Sequence, residues 1–246
     1  MEEKITNLKK IARHAGFLYL MIVFIAPYAH IYVPSKIYLR EDAVATTKNI
    51  LAYEFLFRTC VVANLLEATI FVFLAFTLFR LLRQVNFYLA RVMLTFVVVQ
   101  IPIIFVLAAF KITALMIAKG EITSTFLPGN VPEVTMLFLK LNEYGMMTLE
   151  LLWGLWLFPF GMLIYKSMFI PRVFGVFLVI AGAGYAIDSL TFMLAPQFTS
   201  YTKIFAFTFS GIGETSIMLW LLIIGVKDHV SIEGIDSEPV LKTSAI

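Results

Sequence analysis

Cysteine is almost missing from this chain of 246 residues, where Cys60 stands alone. An intramolecular disulfide and a thiolate metal cluster are thereby excluded. Inside an apolar run, a lone cysteine reads as a small apolar filler. Histidine is nearly as scarce, with His14, His30 and His229 the whole set. A zinc site normally takes several His or Cys ligands, and a bis-histidine haem needs two that can meet. His14 and His229 are expected at one boundary of the apolar region and His30 far from both, so no metal and no cofactor is expected. Charge is thin as well: 14% of residues are charged and the formal net charge is +3, too weak a bias for a nucleic-acid partner. No glycine loop of the phosphate-cradling kind occurs. A Ser-His-acid arrangement would have to use His30, and no serine stands beside it in a suggestive position.

What the chain has in excess is apolar surface. Hydrophobic residues make up 61% of it, which is the composition of a protein dissolved in lipid. Its length suits about six spans of roughly 20 residues each. The runs fall near 12–33, 57–81, 92–116, 143–165, 172–195 and 203–226, predicting an all-α integral membrane bundle. Pro34 is expected to close the first span and Pro171 to open the fifth. From Pro132 to Tyr165 the pattern allows one long helix whose first turns lie outside the hydrocarbon, since Pro132 suits a first helical position. Residues 1–226 read as a single domain. Residues 227–246 form an acidic tail containing Ser, Pro and Gly, expected to be disordered.

Basic residues precede the first apolar run, Ala15 to Val33, which is longer than the core of a signal peptide. The nearest A-x-A pattern, at 43–45, follows a charged stretch, so a retained first span is expected. Lysine and arginine also set the orientation. Lys4, Lys9, Lys10, Arg13, Arg80, Arg83, Arg91, Lys166, Arg172 and Lys227 fall on one side. Lys36, Arg40, Lys48, Lys119, Lys140 and Lys203 are spread over longer loops on the other. The positive-inside rule then puts both termini in the cytoplasm.

Five ionisable side chains interrupt the apolar runs: Glu67, Lys111, Glu150, Asp188 and Glu214. Each charge at the bilayer centre costs about 2.5–3.5 kcal/mol on the insertion scale, so such groups pair, line a wet space, or act chemically. Helical periodicity gathers them on stripes. Glu143, Glu150, Gly154 and Gly161 share one face, and Ala181, Gly184, Tyr185 and Asp188 another. Ser210, Gly211 and Glu214 align, as do Cys60, Asn64 and Glu67, and Gln100 lies in line with Lys111. Glycines on these faces imply close helix approach beside the charges. Trp153, Trp156 and Phe160 sit off the stripe and read as packing or lipid contact.

Depth along the spans puts Glu67 and Glu214 near the midplane and Glu150 and Asp188 further outward. The expected site is therefore a polar pocket opening to the outside. It is lined by Glu67, Glu150, Asp188, Glu214 and Asn64, and capped by His30, Lys111 and Arg58. The alternative is that Lys111 and Arg58 neutralise two of the acids and only hold helices in register.

The segment Phe158-Pro159-Phe160-Gly161, the turn Lys166-Ser167-Met168-Phe169-Ile170-Pro171-Arg172 and the run Ala181-Gly182-Ala183-Gly184-Tyr185-Ala186-Ile187-Asp188 form a set with Gly213-Glu214 and the opening Arg13-His14-Ala15-Gly16. Together they resemble the bacterial multi-pass membrane proteins grouped as domain-of-unknown-function family 4386. The resemblance covers most of the chain. It implies a multi-span protein of a bacterial plasma membrane, with no established activity to carry over, and assigns no role to Asp188 or Glu214.

Three functional classes fit these residues. The first is a non-enzymatic protein that binds or moves a small solute or cation, with carboxylate protonation as the coupling step. The second is an intramembrane enzyme acting on a lipid or isoprenoid near the outer leaflet, with His30 and an acid as a general acid/base pair. The third is a structural or regulatory subunit whose buried charges pair only for assembly. The partners expected are membrane lipids and a small solute, cation or proton.

Overall fold

The computed structural model describes residues 2–39, 41–122 and 130–227. Arg40, His229 and the tail expected to be disordered, beyond its first residue Lys227, lie outside the described residues. Among the described residues the chain is helical throughout, without a strand, and six helices are long and apolar enough to cross a membrane. In chain order these are Ile5–Ile37, Glu54–Leu82, Phe87–Ala118, Val131–Lys166, Arg172–Leu194 and Pro196–Ile223. They coincide with the six apolar runs of the sequence.

The first span is compound. Helix α1 (Glu2–Pro27) passes into a π-helical turn, Tyr28–Tyr32, and then into the short α2 (Val33–Ile37). Pro34 therefore does not close the span, contrary to expectation. It lies within one continuous helix, directly after the π turn, as the last break in the regular hydrogen-bond ladder rather than the end of the span. Pro27, at the end of α1, has no N–H for the carbonyl four residues back, and Pro34 has none for that of His30. The five residues after Pro27 wind as the wider π turn, and His30 lies inside that turn.

Helix α3 (Ala43–Ala52) opens where the Asp42 carboxylate accepts from the Ala45 N–H at 2.8 Å. It is followed by α4 (Glu54–Leu82), α5 (Phe87–Ala118), α6 (Val131–Lys166), α7 (Arg172–Leu194) and α8 (Thr199–Ile223). Asn86 caps α5 by accepting from the Leu89 N–H at 2.8 Å. Helix α6 is continuous from its proline-containing first turn to Lys166, as its sequence predicts.

The long helices close a ring. In the order α1, α4, α5, α6, α7, α8 each packs on the next, and α8 returns to α1. The α6–α7 seam shows why the glycine stripes exist. A Cβ at Gly154 would lie 2.5 Å from the Gly182 carbonyl oxygen, and one at Gly182 would lie 2.8 Å from that of Gly154. Gly161 and Gly175 repeat this reciprocal contact two turns away. A Cβ at Gly16 would collide with the backbone of Leu222, which is how α1 meets α8.

Two apolar clusters fill the ends of the ring. At the end near the chain termini, Leu74, Leu78, Met93, Trp156, Leu157, Phe160, Leu178 and Leu221 form one continuous core. At the other end Val33, Ile37, Ile50, Phe57, Val61 and Leu115 form a second, to which α2 and α3 contribute. The polar side chains of the spans lie between the two.

Candidate functional site

The site is a circuit of side chains from five helices. His30, carried by the π turn, places Nε2 2.9 Å from Glu67 Oε2 of α4. Glu67 lies within electrostatic range of Glu214 of α8. The Tyr19 hydroxyl of α1 donates to Glu214 Oε2 at 2.5 Å, and that of Tyr185 on α7 reaches Glu214 Oε1 at 3.4 Å. Tyr185 meets Trp153 of α6 with ring centroids 5.8 Å apart, and Trp153 meets His30 at 6.3 Å, both nearly perpendicular. This last contact closes the loop. Because its members come from around the ring of helices, the circuit faces inward. The His30 side chain is 28% and the Glu67 side chain 19% exposed. Trp153, Tyr185 and Glu214 are likewise partly open, whereas Tyr19 is buried.

Helix α5 joins through Lys111. Its ammonium donates to Asn64 Oδ1 at 2.8 Å and approaches Cys60 Sγ at 3.7 Å. That bond fixes the Asn64 amide so that Nδ2 points to His30 Nε2, 3.4 Å away. Lys111 is only 5% exposed and is enclosed by the second apolar cluster. The cap expected from His30, Lys111 and Arg58 is thus mainly apolar, and Lys111 bonds an amide rather than an acid.

A second polar group adjoins the circuit one turn along α6 and α7. The Glu150 carboxyl lies within hydrogen-bond reach of the Asp188 carboxyl. Thr202 Oγ1 donates to Asp188 Oδ1 at 2.5 Å, while Asp188 Oδ2 is buried without a donor. Asp188 as a whole is 1% exposed. Two neighbouring buried carboxyl groups disfavour ionisation of both together. Tyr185 senses Glu150 electrostatically, which links the two groups.

Arg58 is not brought to the others. Its guanidinium bonds Glu54 at 2.8 Å, one turn away on the same helix. Lys119 reaches the same Glu54 at 3.3 Å and Glu121 at 2.8 Å, and these two acids hold its ammonium above the ordinary lysine range. Nearby, burial pushes the Tyr38 phenol well above its usual value. Among the described residues, no lysine or arginine stands at ion-pair distance from Glu67, Glu150, Asp188 or Glu214. No three His, Cys, Asp or Glu side chains gather closely enough to hold a metal among the same residues.

Sequence reasoning missed Tyr19, Thr202 and the inward role of Trp153. Tyr19 lies about three turns before His30 on one helical face, a signal that was available. Trp153 stands one turn from Glu150, but its ring turns away from the glycine seam, so the stripe did not capture it.

The chain matches the family described as a domain of unknown function (DUF4386) over residues 14–225, and it belongs to that family. An uncharacterized protein of Archaeoglobus fulgidus is 39% identical over 75 residues, a match that takes in 30% of this chain and 42% of that relative. The chain thus spans less than half the length of the relative it matches. No solved structure matches it.

Proposed function

We propose that this multi-pass membrane protein binds, and moves across the bilayer, a small solute or cation held at the inward circuit, with carboxylate protonation as the coupling step. The observation that carries this reading is a set of four acids on the membrane-crossing helices with no lysine or arginine at ion-pair distance among the described residues, Lys111 and Lys203 acting on Glu67 and Glu150 only from further away. They lie on four helices of a closed ring, and among the described residues their hydrogen bonds run to phenols, a histidine and a threonine. Acids kept only for assembly would sit opposite fixed cations, because an unpaired buried charge is expensive. The one buried lysine available, Lys111, is bonded to Asn64 instead.

The test is a titration of purified protein with protons and candidate ligands, comparing the unmodified chain with Glu214→Gln and Asp188→Asn. Proton uptake that changes on ligand addition, and falls in both variants, supports the reading. Unchanged proton and ligand binding in both variants disposes of it.

A second reading rests on the His30–Glu67 contact at 2.9 Å, the geometry a general acid/base pair needs. It makes the protein an intramembrane enzyme for a lipid or isoprenoid. Turnover of lipid by the reconstituted protein, abolished in His30→Gln, separates this reading from reversible binding.

A further inference from the structure

We infer that the outer face of α5 holds an anionic phospholipid at the end of the bundle near the chain termini, its headgroup on Arg91 and an acyl chain in the groove beside it. The inference is independent of the circuit of acids and of the reading built on it.

The groove comes first. Helix α5 buries Ala90, Met93, Val97 and Gln100 along one side and turns the opposite side out. On that outer side Tyr88, Arg91, Val92, Thr95 and Phe96 line a groove of about 310 Å³. All five belong to α5, so the groove opens away from the ring of helices, toward lipid in a membrane-crossing bundle. Val92 and Val99, 44% and 50% exposed, carry an apolar stripe from it into the span.

The charge comes second. Arg91 is exposed, and among the described residues no carboxylate stands at ion-pair distance from it. Its guanidinium lies over the Phe87 ring, 5.2 Å from the centroid, and so is turned toward the start of the helix. Phe79, Phe87 and Tyr88 meet ring to ring at 6.0 and 6.1 Å, and aromatic rings of this kind collect at the headgroup level. The Arg91 backbone lies one turn, about 6 Å, inside that level. A charge on the lipid face at this depth needs a counter-ion. The segment from Arg80 to Arg91 contains three arginines and no acid, so the counter-charge has to come from the bilayer.

The two observations together select the occupant. A guanidinium offers paired N–H donors that match a phosphate, and the exposed Tyr88 hydroxyl adds another donor beside it. A free phosphate ion would use Arg91 and leave Val92 and Phe96 without a partner. A phospholipid fills both ends of the groove. A zwitterionic lipid brings its own cation, whereas an anionic one leaves its charge for the arginines.

The experiment is native mass spectrometry of the full chain released from nanodiscs that hold equal amounts of phosphatidylglycerol and phosphatidylcholine with matched acyl chains. Retained phosphatidylglycerol is expected to exceed phosphatidylcholine. That preference should fall about fivefold in Arg91→Gln, the effect of one arginine near an anionic surface. Arg172→Gln, which removes an equal charge at the same end outside the groove, should leave it nearly unchanged. Thr95→Trp fills the groove while keeping every charge, and should lower the preference too; it carries the comparison if Arg91→Gln fails to fold. Inorganic phosphate added as a competitor should not displace the lipid. Equal retention of the two lipids, or equal losses in Arg91→Gln and Arg172→Gln, overturns the inference. Displacement by inorganic phosphate would assign the groove to a free anion, and a dimer that Thr95→Trp dissociates would assign it to a second copy; either result overturns it as well.

Discussion

His30 Nε2 stands 2.9 Å from Glu67 Oε2, a bond between a π turn and the middle of the second span. The turn lies between Pro27 and Pro34, so a backbone irregularity sets the position of this imidazole. The two side chains should be energetically coupled. A double-mutant cycle with His30→Ala and Glu67→Gln, read by unfolding in detergent, is expected to show a coupling of about 0.5–3 kcal/mol. Additive effects would mean that each group is solvated independently.

Glu214 depends on two phenols unequally. Tyr19 is buried and bonds it at 2.5 Å, whereas Tyr185 is partly open and lies at 3.4 Å, beyond the usual range for a hydroxyl donor. Tyr19→Phe should therefore cost about 1.5–3 kcal/mol of stability, as for a hydrogen bond to a charged group, and Tyr185→Phe distinctly less. Thermal unfolding of the two variants side by side checks the order. A larger loss in Tyr185→Phe would reverse the assignment.

The six spans were legible because a lipid solvent enforces long apolar runs, and the α6 side of its seam with α7 because Gly154 and Gly161 recur at helical spacing; on α7 the seam is made by Gly175 and Gly182, while Gly184, the glycine read beside Asp188, meets α8. The partners of the acids were less so. Periodicity says which residues share one helix face, and nothing about which neighbouring helix that face meets. Lys111 could therefore be drawn toward an acid, when Asn64 is its partner. Arg58 could be drawn inward, when Glu54 one turn away holds it at the end of the span. Pro34 misled because a helix can carry a proline through a local π turn, here Tyr28–Tyr32, without ending.

The glycine seam predicts a contrast between two alanine substitutions. At Gly154 an added methyl would meet the Gly182 carbonyl at 2.5 Å and the Ala186 nitrogen at 2.9 Å, both backbone atoms that cannot rotate away. Gly154→Ala should destabilise the bundle by about 1–3 kcal/mol through overpacking. Gly211, on α8, has nothing within 4 Å of its would-be Cβ. Gly211→Ala should be neutral or stabilising by up to about 1 kcal/mol, the difference in helix propensity. Unfolding midpoints in one detergent decide it, and equal losses at both positions would contradict the α6–α7 contact.

The buried Asp188 predicts a contrast between two substitutions. Thr202 Oγ1 donates to Asp188 Oδ1, while Oδ2 is buried without a donor. Asp188→Asn keeps an oxygen for Thr202 and removes the buried charge, so the unfolding midpoint in detergent should change little. Asp188→Ala leaves the Thr202 hydroxyl without its acceptor and should cost about 1–3 kcal/mol. A larger loss in Asp188→Asn than in Asp188→Ala would contradict this arrangement.

Orientation follows from the basic residues and from an even number of spans, which returns the chain to its starting side. We expect the end carrying Asn7 and Gln84 to face the cytoplasm and the end carrying Glu41 to face outward. The native Cys60 is buried, with its thiol directed to the Ala29 carbonyl at 3.2 Å, so Cys60→Ala gives a silent background. On that background Asn7→Cys, Gln84→Cys and Glu41→Cys alter no lysine or arginine, which leaves the topogenic charge bias intact. A membrane-impermeant maleimide added to intact cells should modify Glu41→Cys, and should reach the other two only after permeabilisation. The opposite labelling pattern would invert the molecule and turn the circuit of His30, Glu67 and Glu214 toward the other leaflet.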